Sequence, residues 1–223
     1  MRAYDEFLQK QESIYAKSRA EGELVKTAGI RAWKPGLEGC GAYFIAWLHD
    51  EDVAGRMEEF ASKVAKAAPA IAYESGSIHT TNNDHLLGKD FEYDRNTELN
   101  MMSAVGDCLD YLARPEFDFG EWILSKTTVY AASIPSDEFI YSAYRIQDAA
   151  RPYGFEFKLP WGAHATTNRF IEDRKAAELG ELFELMREAP VIGKSRPERL
   201  GVGHFYLDKD GFRPEFLEIF KVG

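Results

Sequence analysis

The strongest constraint on this chain is a unit that occurs twice. In the first copy, Ala42-Tyr43-Phe44-Ile45-Ala46-Trp47-Leu48 is a continuous apolar run of the length of a buried strand. Val53, Met57, Phe60 and Val64 follow at spacings of 4, 3 and 4, which lays one apolar face along a helix. In the second copy, Thr127 to Ala132 reads as a strand, and Phe139, Ala143, Ile146 and Ala150 repeat the 4, 3, 4 spacing. Each copy ends in a further strand. One carries Ile78-His79-Thr80-Thr81 and the other Ala163-His164-Ala165-Thr166, with the two histidines 85 residues apart. Strand, helix and strand therefore recur at one offset, so the chain is expected to fold into two matched halves.

The two strings share a chemistry. Residues i and i+2 of a strand lie on one face, so each string aims an imidazole and a hydroxyl into the same space. Two such pairs facing each other supply a base, an acid and two neutral hydrogen-bond donors. That set can move protons around a phosphate or an ester without a metal. His79, Thr81, His164 and Thr166 are thus the candidate catalytic residues. Of the other histidines, His204 sits in an apolar strand and reads as structural. His49 precedes a helix-capping aspartate and is expected to be exposed.

The 223 residues suit one domain or two lobes sharing a chain. A net charge of −10 with no Lys/Arg run excludes a tight grip on long duplex nucleic acid, which needs a basic face. A nucleotide, a short oligonucleotide or an RNA end held by a few local cations remains open. No apolar stretch approaches the ~20 residues of a membrane span, and the polar start shows no secretory signal. Cys40 and Cys108 form no metal or redox spacing, so a cytoplasmic, reduced setting and no membrane partner are expected. Serine-hydrolase and phosphate-loop patterns are absent, and Gly201-x-Gly203 leads into a strand, so no cofactor is expected. No metal site is expected either. Asp84 and His85 with a motif histidine form the rival metal-hydrolase set, unsupported by any helical ligand spacing.

The remaining elements are expected as follows. Residues 4–20 form a helix with a thin stripe of Phe7, Leu8, Ile14 and Tyr15, stopped by Gly22. With the loop over 27–41, this makes residues 1–41 an extension outside the core, and 42–223 the main domain. One strand ends at His79-Thr80-Thr81, and a polar loop leads to a helix marked by Leu99, Met102, Val105, Leu109 and Leu112. Phe155 to Leu159 alternates like a strand, and Glu172 to Arg187 reads as a helix. Residues 202–207 pair with 212–220 across Lys209-Asp210-Gly211. Residues 113–126 receive no assignment.

On these motifs the chain resembles the two-histidine (2H) phosphoesterase superfamily, which includes RNA 2′,5′-ligase-like enzymes and cyclic phosphodiesterases. The family carries two His-x-[Ser/Thr]-hydrophobic motifs about 80 residues apart, one per pseudo-symmetric lobe. Here they correspond to His79-Thr80-Thr81-Asn82 and His164-Ala165-Thr166-Thr167, with polar Asn82 and Thr167 at the usually apolar fourth position. Arg169 matches an arginine common after the second motif. The family's Leu-Gly after the first motif corresponds to Leu87-Gly88, with extra residues between. The resemblance covers residues 42–222. It implies an α+β, bilobal pseudo-two-fold fold, with two antiparallel sheets flanked by helices around a central cleft. It also implies metal-independent hydrolysis of a 2′,3′-cyclic phosphate or a 2′,5′-linked nucleotide, and a monomer is expected. Arg169 would add charge, and Trp161, Tyr43 and Tyr206 could stack on a base. A nucleotide-binding module without turnover is the alternative on the same fold.

Overall fold

The structure, a computed structural model, describes residues 2–33, 40–88, 91–208 and 211–223. Its first repeat is β1 (Cys40–Leu48), α2 (Glu51–Ala67) and β3 (His79–Gly88), with the short β2 (Ala70–Ala72) between the last two. Its second repeat is β5 (Thr128–Pro135), α4 (Asp137–Ala150) and β6 (His164–Phe170). Between the repeats lie α3 (Arg95–Cys108) and β4 (Phe117–Leu124). After them come α5 (Gly180–Arg187), β7 (Gly193–Ser195), β8 (Arg199–Asp208) and β9 (Gly211–Lys221), and the N-terminal α1 (Arg2–Ala28) precedes them all. All eight apolar residues predicted for the faces of α2 and α4 are buried.

The strands run in the order β7-β4-β5-β6-β3-β1-β8-β9, with β2 also on β6, and every pairing is antiparallel. The expected two sheets are therefore halves of one curled sheet, β7-β4-β5-β6 and β3-β1-β8-β9. They meet at a seam where β3 touches β6 through one register pair, Thr80↔Ala165. This seam brings the two His-x-Thr strings side by side.

The repeat extends below the level of strands and helices. β3 pairs with β1 so that Asn82 is skipped between Thr81↔Ala46 and Asn83↔Ile45. β6 pairs with β5 so that Thr167 is skipped between Thr166↔Tyr130 and Asn168↔Val129. Both strands thus carry a β-bulge at the same place, three residues after the histidine. The residue after each bulge is an asparagine whose amide ties its strand to a helix of the other half. Asn83 Nδ2 donates to the Ala143 carbonyl of α4 at 3.3 Å, and Asn168 Nδ2 donates to the Ala61 carbonyl of α2 at 2.9 Å.

Several sequence expectations need correction. Helix α1 runs on past Gly22 to Ala28, and Gly29 ends it with φ +85°. Gly22 is instead a point of close approach, since a Cβ there would lie 2.5 Å from the Leu124 carbonyl oxygen of β4. Nor does α1 lie outside the core, because Phe7, Gln11, Tyr15 and Val25 are buried. Phe7 packs edge-on against Phe139 of α4, with ring centroids 5.7 Å apart. The polar stretch after Thr81 is strand as far as Gly88, since β3 starts at His79 and continues to there; of the rest of the expected loop, residues 91–94 are irregular and residues 89–90 lie outside the described residues. β4 escapes the sequence reading because a register shift at Gly120 breaks its alternation after Phe117 and Phe119. In 155–159 only Lys158 bridges, to Asp84, and the helix expected over 172–187 is confined to α5 after a single 3₁₀ turn. The β8–β9 hairpin forms as expected, although residues 209–210 of its turn lie outside the described residues.

Candidate active site

Antiparallel register at Thr80↔Ala165 sets His79 across from Thr166 and Thr81 across from His164. All four side chains point to the face opposite Thr80 and Ala165, which are both fully buried. The result is a two-by-two array with the histidines on one diagonal and the threonines on the other, where diagonal neighbours are about 7–8 Å apart at their Cα atoms. The array floors a cleft of about 310 Å³ that is also lined by Arg169, Trp161, Trp33, Tyr73, Asp84 and Phe212.

Each imidazole is held in the same way. His79 Nδ1 lies 2.7 Å from the Ser77 carbonyl oxygen, and His164 Nδ1 lies 3.4 Å from the Gly162 carbonyl oxygen. A carbonyl only accepts, so these contacts put the proton on Nδ1 and leave Nε2 as the basic nitrogen. Burial drives both rings well below the ordinary imidazole range, to about 4, and the positive charge of Arg169 pushes the same way. His164 is lowered further by the charge of His79. Both are therefore neutral in the free protein at neutral pH. The walls are aromatic. His79 lies between Phe44 and Phe212, with centroids at 5.1 and 5.7 Å, while His164 lies against Trp161 at 4.1 Å and Tyr130 at 5.2 Å.

Arg169 lines the cleft, among residues that the sequence did not point to. Its Nε donates to the Tyr73 hydroxyl at 2.7 Å, and its guanidinium carbon sits 4.5 Å from the centre of the Trp33 ring. Trp33 and Tyr73 precede the first histidine in sequence with no motif to mark them, so sequence reasoning missed them. Trp161 is in the cleft and 38% exposed, open to a stacking partner. Tyr43 and Tyr206, the other two candidate stackers, are not brought to the site. Tyr43 is fully buried, its hydroxyl donating to the Asp94 carbonyl, and Tyr206 packs against Phe91 and His204. β1 turns Tyr43 to the face opposite Phe44, away from the histidines.

The polar residues at the fourth motif position have a structural explanation. Asn82 and Thr167 are the bulge residues, fully buried and hydrogen-bonded. Asn82 Oδ1 accepts from Trp47 Nε1 and Ser142 Oγ, and its Nδ2 donates to Asn83 Oδ1. Thr167 Oγ1 lies within hydrogen-bond reach of the Val129 carbonyl oxygen and Asn168 Oδ1.

Helix α1 also reaches the site. The Gln11 amide donates to the Ser133 carbonyl and accepts from the Ala163 N–H, while the Tyr15 hydroxyl donates to the Ala163 carbonyl. The residue just before His164 is thus held on both backbone groups by the helix expected to be peripheral. His49, expected to be exposed, is 1% exposed, and Ser195 and Thr80 satisfy its ring nitrogens. His204 is structural, with Nδ1 2.9 Å from Glu98 Oε1. His85 turns from the cleft onto Phe155 and Phe157, so the Asp84–His85 metal pair does not assemble. Among the described residues no group of three or more His, Cys, Asp or Glu side chains is placed to hold a metal, and no helix is long and apolar enough to cross a membrane.

No family model matches the chain, and no curated protein matches its sequence. Solved structures do match its fold. The protein TT0787 of Thermus thermophilus aligns with a TM-score of 0.59 at 16% identity, over 81% of this chain and 97% of that one. E. coli LigT in complex with ATP aligns with a TM-score of 0.52 at 11% identity, over 82% and 98% of the two chains. The same protein in complex with 3′-AMP gives 0.52 at 13% identity, over the same shares. A protein described as a phosphoesterase gives 0.52 at 14% identity, over 81% and 98%. The chain therefore has the α+β fold of the two-histidine phosphoesterases.

Proposed function

We propose that this protein is a phosphodiesterase that hydrolyses a 2′,3′-cyclic phosphate or a 2′,5′-linked nucleotide by general acid–base catalysis with His79 and His164, without a metal. The diagonal array of two imidazoles and two hydroxyls at the seam carries this reading. A phosphate seated over the array has an imidazole on either side. One Nε2 takes a proton from attacking water, and the other imidazole, protonated, gives its proton to the leaving oxygen as the phosphorus–oxygen bond breaks. Thr81 and Thr166 donate hydrogen bonds to the non-bridging oxygens. Arg169 is half-buried and makes no ion pair among the described residues, so its charge is available to the anion. The two lowered imidazoles suit this work, because an arriving phosphate supplies the negative charge that stabilises one proton on the pair. Trp161 is the stacking surface for a base. The ATP and 3′-AMP complexes of E. coli LigT support a small nucleotide ligand for this fold. The array comes from a single chain, so a monomer suffices.

The test is hydrolysis of a panel of 2′,3′-cyclic nucleotides and 2′,5′-linked dinucleotides with EDTA present, by wild type, His79→Ala and His164→Ala. Wild type is expected to turn over, and each variant to lose about 10²–10⁴-fold. Unchanged hydrolysis in either variant would sink the assignment. Tight AMP binding with no turnover on the whole panel would select the binding-module alternative.

A further inference from the structure

The two bulges have a consequence beyond the array. Each bulge reverses the alternation of its strand, so the side chain five residues after each histidine returns to the cleft face. On β6 that residue is Arg169. On β3 it is Asp84, which pairs directly with Phe44, the residue whose ring packs against His79. Asp84 and Arg169 are thus equivalent positions of the repeat with opposite charges, and both line the cleft. Because β3 and β6 are antiparallel, the two lie at opposite ends. Arg169 stands beyond His79, next to Tyr73, and Asp84 stands beyond His164, at the end where the chain passes through Trp161.

Asp84 is an unusual group to leave there. Its Oδ1 is buried without a hydrogen-bond partner among the described residues. Burial pushes its carboxyl above the ordinary range, against the opposing charges of Lys158 and His85, and the Lys158 N–H bonds to the Asp84 backbone carbonyl at 2.9 Å. Buried acceptors normally find a donor, and a carboxylate oxygen left without one at the wall of a cleft calls for a function. Resting on the two-histidine reading, we infer that Asp84 is a specificity-determining residue. It accepts a hydrogen bond from an uncharged N–H or O–H on the part of the substrate beyond the scissile phosphate. The substrate then lies with any further phosphate toward Arg169, and with its donor-bearing base or sugar toward Asp84 and Trp161. A second phosphate at the Asp84 end would meet a like charge.

The experiment compares wild type, Asp84→Ala and Asp84→Asn on three cyclic phosphates. Guanosine 2′,3′-cyclic phosphate has base and sugar donors, the cyclic phosphate of methyl riboside has sugar donors only, and ethylene phosphate has neither. Asp84→Ala is expected to lower kcat/KM about 10–100-fold on the guanosine substrate and less than about threefold on ethylene phosphate. Asp84→Asn, which keeps an acceptor oxygen, should recover most of the loss. If the methyl riboside substrate falls with guanosine, the donor is on the sugar; if it behaves like ethylene phosphate, the donor is on the base. Equal losses on all three substrates, or none on any, overturn the inference. Binding of guanosine 2′-monophosphate against inorganic phosphate gives a readout that needs no turnover. If wild type hydrolyses nothing but prefers the nucleotide, and Asp84→Ala erases that preference, the catalytic reading fails and the Asp84 inference stands. If wild type binds neither, both fail. Thermal melting controls for folding, and neither variant is expected to melt below wild type, because each removes the charge from a half-buried carboxylate whose Oδ1 has no hydrogen-bond partner among the described residues.

Discussion

Strands β3 and β6 are two versions of one design. Both begin with a histidine whose Nδ1 faces a carbonyl two residues back. Both place a threonine hydroxyl beside it, bulge at the next residue, and send an asparagine through the sheet to a helix of the other half. They differ in what surrounds this plan. The fifth position after the histidine is Asp84 on one and Arg169 on the other. His79 sits between two phenylalanines, whereas His164 sits under Trp161. Behind β3 the fully buried Thr80 is bonded to His49, while behind β6 the equivalent residue is Ala165. Under the proposed hydrolysis, the features shared by the strands are those that act on the phosphate from both sides. Those that differ give the cleft a direction, and a direction is what selects one substrate from many.

The largest test of the shared part is the pH dependence of stability. His79 and His164 are pushed from the ordinary value of about 6.5 down to about 4 in the folded state. Between those values the unfolded chain binds more protons than the folded one, so stability falls as pH falls. Each group contributes up to about 1.4 kcal/mol per pH unit. His49, pushed by burial to about 3, adds a similar slope that extends lower. Urea unfolding at several pH values between 4 and 7 should show His79→Gln and His164→Gln flattening the slope by similar amounts. Flattening by only one of them would break the equivalence of the two strands. The same lowering predicts that binding of a nucleotide phosphate at pH 7 takes up protons, which calorimetry in buffers of different ionisation enthalpy would detect.

The asparagine clamps come next. Removing the Asn168 side chain takes away its bonds to the Ala61 carbonyl and to the Thr167 hydroxyl and loosens the bulge at Thr167, at a cost of about 1–3 kcal/mol. Asn83 makes the longer bond, 3.3 Å against 2.9 Å. Asn83→Ala is therefore expected to cost less than Asn168→Ala in urea unfolding. The reverse order would show that the β3 bulge depends more on its clamp, through the Asn82–Asn83 contact of 2.7 Å.

These clamps mark how far the fold is legible in the sequence. The repeat, the apolar faces of α2 and α4, and the four residues of the array follow from periodicity and spacing. The echo itself is longer than the two His-x-Thr strings. His79-Thr80-Thr81-Asn82-Asn83-Asp84 and His164-Ala165-Thr166-Thr167-Asn168-Arg169 share the histidine, the threonine and also the asparagine at the fifth place. That asparagine is a readable signal for the bulge, because only a bulged strand turns it to the helices. Other features carry no local signal. α1 looks weakly amphipathic because its key contacts are polar ones, from Gln11 and Tyr15 to the backbone around Ala163. His49 looks exposed because its partners, Thr80 and Ser195, are distant in sequence. Tyr43 is apolar-run material whose face is set only by the register with β3.

The smallest test concerns the hydroxyl that β3 has and β6 lacks. Ser195 Oγ donates to Asp50 Oδ2, so it accepts from His49 Nδ1–H, which leaves His49 Nε2 to accept from the Thr80 hydroxyl at 2.9 Å. This chain joins the end of β1 to the edge strand β7 of the other half, on the face away from the cleft. Thr80→Val keeps the shape and removes the donor, so a buried imidazole nitrogen loses its partner at a cost of about 1 kcal/mol or a little more. Because Ala165 holds the same place on β6 without a hydroxyl, the array does not need one there, and kcat/KM should be unchanged. A tenfold loss of turnover in Thr80→Val at unchanged KM would instead make the Thr80–His49 chain a support for His79 with no counterpart on β6. The two strands would then be unequal in catalysis as well as in specificity.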